Sequence, residues 1–269
     1  MFPVHSQPPR REPAFNAPAV IVVLLALLAA VHVLRLVLPV EDDLDLMFEF
    51  AFVPARLTVW LDPARLETVL TDAGALGPGR LALAQYALSF GNTWWSLLTH
   101  AFLHGSWMHL GLNGLWLLAF GAPVARRFGV VRFLILFVIC AVAGALFYGL
   151  MRPDDVTPMI GASGAISGIM AAAARFVFSD RGPVVFGHAP RAMLYAPARP
   201  LIEVMANRQA ATFILIWFAI NLMSGAVAGA FGVTDGAVAW EAHMGGFLAG
   251  LALFVPLDPI GVGGSRTRR

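Results

Sequence analysis

Six stretches of this chain are too long and too apolar to form the surface of a water-soluble domain, and they limit its fold more than any other feature. They lie at about 19–38, 105–123, 130–150, 161–179, 210–231 and 241–257. A helix needs roughly 20 apolar residues to cross about 30 Å of hydrocarbon, and in lipid its backbone groups must be satisfied internally. Each stretch is therefore expected to be a membrane-spanning helix. Composition agrees, since 59% of the 269 residues are hydrophobic and only 13% are charged, about half the charge of an average soluble domain. The expected fold is all-α, a six-helix membrane domain at 19–257. A Pro-rich disordered cytoplasmic tail at 1–18 precedes it and a cytoplasmic tail at 258–269 follows. The first apolar stretch follows Arg10 and Arg11 as a secretory signal would, but it exceeds the usual h-region of about 7–15 residues, so it reads as a retained span.

Charge between the stretches sets the orientation, because arginine accumulates on cytoplasmic loops. All 18 basic residues are arginine. Arg10 and Arg11, then Arg126, Arg127 and Arg132, then Arg181, Arg191, Arg199 and Arg208, then Arg266, Arg268 and Arg269 fall in alternate connections, which belong inside. The other connections carry Glu41, Asp42, Asp43 and Asp45, then Asp154 and Asp155, then Asp235. These face outside, so both termini are cytoplasmic. The arginines are spread over short loops without an aromatic platform, which argues against nucleic acid as a partner. Heavy use of Arg, Ala, Gly and Pro suggests a GC-rich bacterial genome, so the expected location is a bacterial cytoplasmic (inner) membrane. Cys140 is the only cysteine, so no intramolecular disulfide or cysteine-based metal site can be built.

The outer connection at about 39–99 is the longest, and loops above about 15 residues usually carry structure or function of their own. Asp62-Pro63 suits a helix start, and a second amphipathic piece runs from about Arg80 to Phe90. With Trp60, Trp94 and Trp95, the segment reads as an interfacial cap that also shapes access to the bundle.

Polar side chains inside the membrane are costly and usually face the bundle interior. His100, His104, His109 and Asn113 lead into the second stretch. Ser163 opens the fourth within Gly161-Ala162-Ser163-Gly164, followed by Ser167 and Gly168. His243 opens the sixth, with Gly246 and Gly250 behind it at helical spacing. All three stretches start at the outer face, so Ser163, His243, His109 and Asn113 fall in one layer. Neutral imidazole can take the proton from a serine hydroxyl as it attacks a carbonyl, and donors on the second helix can hold the resulting oxyanion. A metal site on the three histidines is the rival. On one helix His109 would lie about 140° round from His104 and about 180° from His100, and no His-Glu-x-x-His accompanies them. Asn221 in the fifth stretch reads as an interhelical hydrogen-bond partner.

At these residues the sequence resembles the rhomboid family of intramembrane serine proteases. The likeness rests on Gly161 to Gly164 (Gly-x-Ser-Gly), on His109 and Asn113 (His-x-x-x-Asn) and on Ala242 to Gly250 (Ala-His-x-x-Gly-x-x-x-Gly), and covers about residues 90–257. It implies a six-helix rhomboid-type bundle with a long outer loop between helices 1 and 2. By the same resemblance Ser163 is the nucleophile and His243 the general base, with no acid, no cofactor and no metal. The oxyanion would be held by the Ser163 backbone N–H, His109 and Asn113, with Gly161, Gly164, Ser167, Gly246, Gly250, His100 and His104 in support. The expected partners are transmembrane protein substrates and the lipid bilayer, and the site opens to the outer face. Two departures stand out: Trp95 is followed by Ser96 where some relatives have arginine, and Ser167 occupies the place of an aromatic that stacks on the histidine. Close packing or a hydrogen bond from Ser167 is the expected substitute. Glu241 lies about 200° round the helix from His243 and is not expected to complete a triad. A silent relative that binds membrane clients without cutting them is the alternative, although such relatives lack Ser or His of the dyad and this chain has both.

Overall fold

The computed structural model describes residues 17–91, 94–178, 194–227 and 239–261. The expected N-terminal tail up to residue 16, the chain end from residue 262, and Arg181 and Arg191 lie outside the described residues. Among the described residues the elements are helical. They are α1 (Ala19–Val37), α2 (Val40–Phe50), α3 (Pro54–Leu61), α4 (Arg65–Ala75), α5 (Pro78–Ser89) and α6 (Ser96–Thr99), then α7 (Trp107–Trp116), α8 (Ala122–Met151), α9 (Ser163–Ala174), α10 (Leu201–Ala206), α11 (Arg208–Val227) and α12 (Trp240–Leu257). A 3₁₀ turn, His100–Phe102, follows α6, and a π turn, Leu117–Gly121, joins α7 to α8.

Three helical runs are long and apolar enough to cross a membrane: Ala19–Val37, Trp107–Met151 and Trp240–Leu257. Ser163–Ala174 and Arg208–Met223 are shorter apolar segments. The 45-residue middle run is not straight. Gly129 has φ +75° and ψ 169° within α8, a conformation open to glycine without steric penalty. The chain folds back there, so a Cβ at Gly121 would lie 3.5 Å from the Phe133 ring, and the rings of Phe102 and Phe137 meet at 6.1 Å.

Helix α9 is the hub. Every residue from Gly164 to Ala174 is buried, and Ser163 alone in this helix is part-exposed. It begins after Gly161, whose φ of +117° cannot be helical. It ends at Arg175, where the backbone and side chain turn to Arg199: Arg199 N–H donates to the Arg175 carbonyl at 3.0 Å and Arg175 Nε to the Arg199 carbonyl at 2.8 Å. Twelve residues at about 1.5 Å each make about 18 Å, shorter than the hydrocarbon. Its neighbours, α12 and the second half of α8, approach through glycine. A Cβ on Gly246 would lie 2.7 Å from the Gly164 carbonyl carbon, one on Gly250 2.5 Å from the Gly168 Cα, and one on Gly144 2.7 Å from the Ala242 carbonyl oxygen. Such backbone-to-backbone packing gains dispersion contacts where lipid supplies no hydrophobic drive between helices.

At the far end from Ser163 an ion pair closes the bundle. Arg127 and Asp258, both with fully buried side chains, share two hydrogen bonds of 2.8 Å. Arg127 also donates to the Leu194 and Ala196 carbonyls at 3.0 and 2.8 Å and sits 4.8 Å from the Phe176 ring centre. Removing one partner of a buried pair this well bonded would strand the other charge, a loss of about 3–5 kcal/mol.

The segment between α1 and α6 is a four-helix cap, α2 to α5. The Glu41–Asp45 acidic run forms the start of α2 rather than an open loop, where negative charge suits the helix N-terminus. Arg56 lies buried at the centre of the cap, donating to the Ala87 carbonyl at 2.6 Å and to that of Phe48, beside the Phe48 and Phe90 rings. Burial lowers its pKa to about 10, against the opposing Glu49 charge, so it stays charged at neutral pH. The cap is tied to the segment leading into α9. Phe52 and Met159 exchange backbone hydrogen bonds of 3.1 and 2.8 Å, Thr58 donates to the Pro153 carbonyl at 2.6 Å, Arg65 pairs with Asp154, and Arg80 pairs with Asp155 at 2.7 Å.

Two predictions follow from packing and from charge. Helix propensity alone favours Gly250→Ala by about 1 kcal/mol, but the added methyl would overlap the Gly168 backbone, and overpacking typically costs about 1–3 kcal/mol; the variant is expected to melt below the wild type in detergent, while Gly79→Ala, with open space around it, does not. Burial would raise the Asp155 pKa, but hydrogen bonds from Tyr148 and from the Thr157 backbone and hydroxyl, together with Arg80, outweigh this and hold it below the usual range. A depressed carboxylate stabilises the fold above its unfolded pKa of about 3.9 and loses that contribution as pH falls through the folded value. The wild-type melting advantage over Asp155→Asn is therefore expected to be full at neutral pH and to shrink below about pH 4.

Candidate active site

The site is assembled from the first turns of three helices. Gly161 N–H donates to the His100 carbonyl at 2.9 Å, which fixes the turn before Ser163. Glycine is needed at Gly161 for two reasons: its φ is +117°, and a Cβ there would lie 2.7 Å from His109 Nε2. Ser163, at the start of α9, presents its hydroxyl 2.7 Å from Nε2 of His243 on α12. Gly164 and Gly246 make this possible, because the two helices touch through backbone one residue beyond Ser163 and three beyond His243.

His109 is placed by the start of α7. Ser106 caps that helix, its hydroxyl oxygen accepting from the His109 backbone N–H at 3.1 Å. One turn later the buried Asn113 donates through Nδ2 to the His109 carbonyl at 3.1 Å. That bond uses one of the two amide hydrogens. The His109 ring lies beside Gly161 and meets His104 edge-on, with centroids 5.0 Å apart.

The remaining histidines do different work. His100 Nδ1 donates to the Ser96 carbonyl at 3.0 Å, while its own carbonyl receives Gly161. The His104 carbonyl accepts from His32 Nδ1 at 3.2 Å and from Arg35 at 3.0 Å, and Arg35 also pairs with Asp43 at 2.6 Å. Helix α1 is thereby fastened to the loop before α7. Among the described residues, no group of three or more His, Cys, Asp or Glu is arranged to hold a metal ion.

Ser167 does not reach His243. Its hydroxyl donates at 2.7 Å to the Ser163 carbonyl four residues back, the usual local bond of serine within a helix. Glu241 is drawn away to Arg152. The group facing His243 Nδ1 is instead the amide oxygen of Asn221 on α11. Sequence reading placed Asn221 between helices but missed this partner. The available signal was its isolation as an amide in an apolar stretch.

The chemistry this arrangement suits is acyl transfer. A hydroxyl in hydrogen-bond contact with an imidazole is the geometry of an activated nucleophile. The first backbone N–H groups of α9 have no intrahelical partner and carry the positive end of the helix dipole. The imidazole of His109 lies against the Gly161 turn that leads into Ser163, and Asn113 follows one turn behind it on α7.

A family model described as Rhomboid domain matches residues 91–258. RHOMBOID-like protein 6, mitochondrial, of Arabidopsis thaliana is 29% identical over 127 residues, 47% of this chain and 38% of that protein. Rhomboid-like protease 3 of Toxoplasma gondii is 30% identical over 171 residues, 63% of this chain and 54% of that protein. Rhomboid protease GlpG of Klebsiella pneumoniae is 28% identical over 159 residues, 59% of this chain and 47% of that protein. The chain therefore spans well under two thirds of the length of each of these relatives. The family match runs from just before the short helix α6 to the end of α12 and takes in every helix that contributes to the site: this chain is an integral membrane protein of the rhomboid family.

Proposed function

We propose that this protein is an intramembrane serine endopeptidase that cuts membrane-anchored proteins near the outer bilayer surface. The observation that carries this reading is the 2.7 Å contact between Ser163 Oγ and His243 Nε2, at the only part-exposed residue of an otherwise buried helix. The proposal includes six spans: α1, the two halves of the Trp107–Met151 run on either side of Gly129, α9, α11 and α12. The arginine distribution supports cytoplasmic termini and an outward-facing site. A composition rich in Arg, Ala, Gly and Pro supports residence in a bacterial cytoplasmic membrane, as does the bacterial origin of GlpG, while other relatives are mitochondrial.

In the proposed reaction Ser163 Oγ attacks the scissile carbonyl carbon and its proton passes to His243 Nε2. The oxyanion takes hydrogen bonds from the Ser163 N–H and from the Asn113 and His109 side chains. Collapse breaks the C–N bond, and the imidazolium returns its proton to the leaving amine. Water, giving a proton to His243, then attacks the acyl carbon; collapse breaks the bond to Ser163 Oγ, the imidazolium returns its proton to that oxygen, and the new carboxyl terminus leaves. The substrate must locally unwind first, since a helical peptide bond is already hydrogen-bonded within the membrane.

Reconstituted wild type is expected to cleave a labelled transmembrane substrate, with Ser163→Ala and His243→Ala at background and fluorophosphonate labelling lost in Ser163→Ala. Undiminished cleavage by Ser163→Ala would sink the mechanism, and a folded wild type that binds such substrates uncut would favour a silent client-binding protein. His109→Ala and Asn113→Ala are each expected to lower kcat by about 10²–10³-fold, as loss of one oxyanion donor does, with KM little changed.

A further inference from the structure

We infer that Asn221 is the positioning residue of the site, the third group that fixes the ring proton of His243 where the reaction needs it. The inference rests on the reading of Ser163 and His243 as nucleophile and base.

Asn221 is 7% exposed, in a helix whose neighbouring side chains are apolar, and a buried amide must be bonded or it destabilises the fold. Its orientation is decided locally. Nδ2 donates to the Trp217 carbonyl one turn back at 2.7 Å, and a carbonyl accepts only from the nitrogen side of the amide. That choice turns Oδ1 toward His243 Nδ1. An amide oxygen cannot donate, so Nδ1 must carry the hydrogen. Neutral imidazole has one ring proton, and Nε2 is left with its lone pair facing the Ser163 hydroxyl at 2.7 Å. The opposite tautomer would set two lone pairs against each other at Asn221 and leave Nε2 unable to accept the serine proton.

No other described side chain near the ring takes this role. Ser167 is committed to the Ser163 carbonyl, Glu241 to Arg152, and His109 lies against Gly161. The amide is also seated independently of its bond to His243. One turn away on each helix, Trp217 stacks on Phe247 at 4.8 Å and 22°, with Phe218 edge-on to the same ring at 5.7 Å. Helices α11 and α12 are thus registered by aromatic packing, and the polar pair falls opposite within that register. A neutral acceptor suits the location, because a carboxylate buried there would carry a large desolvation penalty. Its dipole still favours the imidazolium that forms during attack, the task a carboxylate performs in soluble triads.

The test compares reconstituted wild type, Ser163→Ala, Asn221→Leu and Asn221→Asp by steady-state cleavage of the labelled transmembrane substrate, by melting temperature, and by ¹⁵N NMR of the His243 ring. Wild-type His243 is expected to show a protonated Nδ1 and a bare Nε2. In Asn221→Leu, folded through the Trp217–Phe247 stack, that tautomer should lose its preference and kcat should fall about 10–100-fold with KM unchanged. Asn221→Asp, held neutral by burial with its O–H replacing Nδ2 at the Trp217 carbonyl, restores an acceptor and should recover much of kcat. Protonated Nε2 in wild type, or wild-type kcat in folded Asn221→Leu, would overturn the inference. The ring spectrum decides it even if Asn221→Leu does not fold. Cleavage by Ser163→Ala would instead overturn the protease reading, and the tautomer result stands apart from activity.

Discussion

The rest of the structure depends on how closely α9 and α12 can approach. Gly164, Gly168, Gly246 and Gly250 let the two backbones touch, and any side chain at the last two would overlap the opposing helix. Only at that separation can two short side chains, a serine and a histidine in the first turns of different helices, share a 2.7 Å hydrogen bond. Close packing is also how helices adhere where lipid is as apolar as leucine. The same glycines therefore serve cohesion and the Ser163–His243 contact, with no division of labour between them.

Around this contact the polar groups are distributed by local rules. Serine at a helix start finds backbone N–H groups to accept from, as Ser106 does, while serine inside a helix turns back on its own carbonyls, as Ser167 does. Glutamate at the mouth of α12 finds an arginine. What remains for His243 is the Asn221 amide of α11. The cap enters by a different route. It fastens to residues 153–159, which lead directly into the Gly161 turn, and through Asp43 to Arg35, which also holds the His104 carbonyl.

Much of this was legible in the sequence because membrane burial makes polar residues conspicuous. Ser163, His243, His109 and Asn113 could be set in one layer from apolar run lengths and arginine placement, and the glycine stripe behind His243 from helical periodicity. The cap was harder. Glu41, Asp42, Asp43 and Asp45 read as a solvated connection, yet they begin α2, and Arg56 has no sequence mark of its burial. Arg127 read as a topological charge, but it is sequestered with Asp258, 131 residues away, a pairing that only the folded chain brings about. The Asn221–His243 contact was hidden for the same reason: register between α11 and α12 is set by Trp217 and Phe247, whose aromatic side chains look alike whether they face lipid or each other.

Helix α9 has one further consequence. It is surrounded by protein along its length and is too short to match the hydrocarbon, so it has no stake in bilayer thickness. Thickness mismatch acts on helices that touch lipid, through tilt and local deformation. The height of the Ser163 hydroxyl is measured from its neighbouring helices rather than from the acyl chains, and the reach between Ser163 and His243 is insulated from changes in lipid composition that would re-tilt α1.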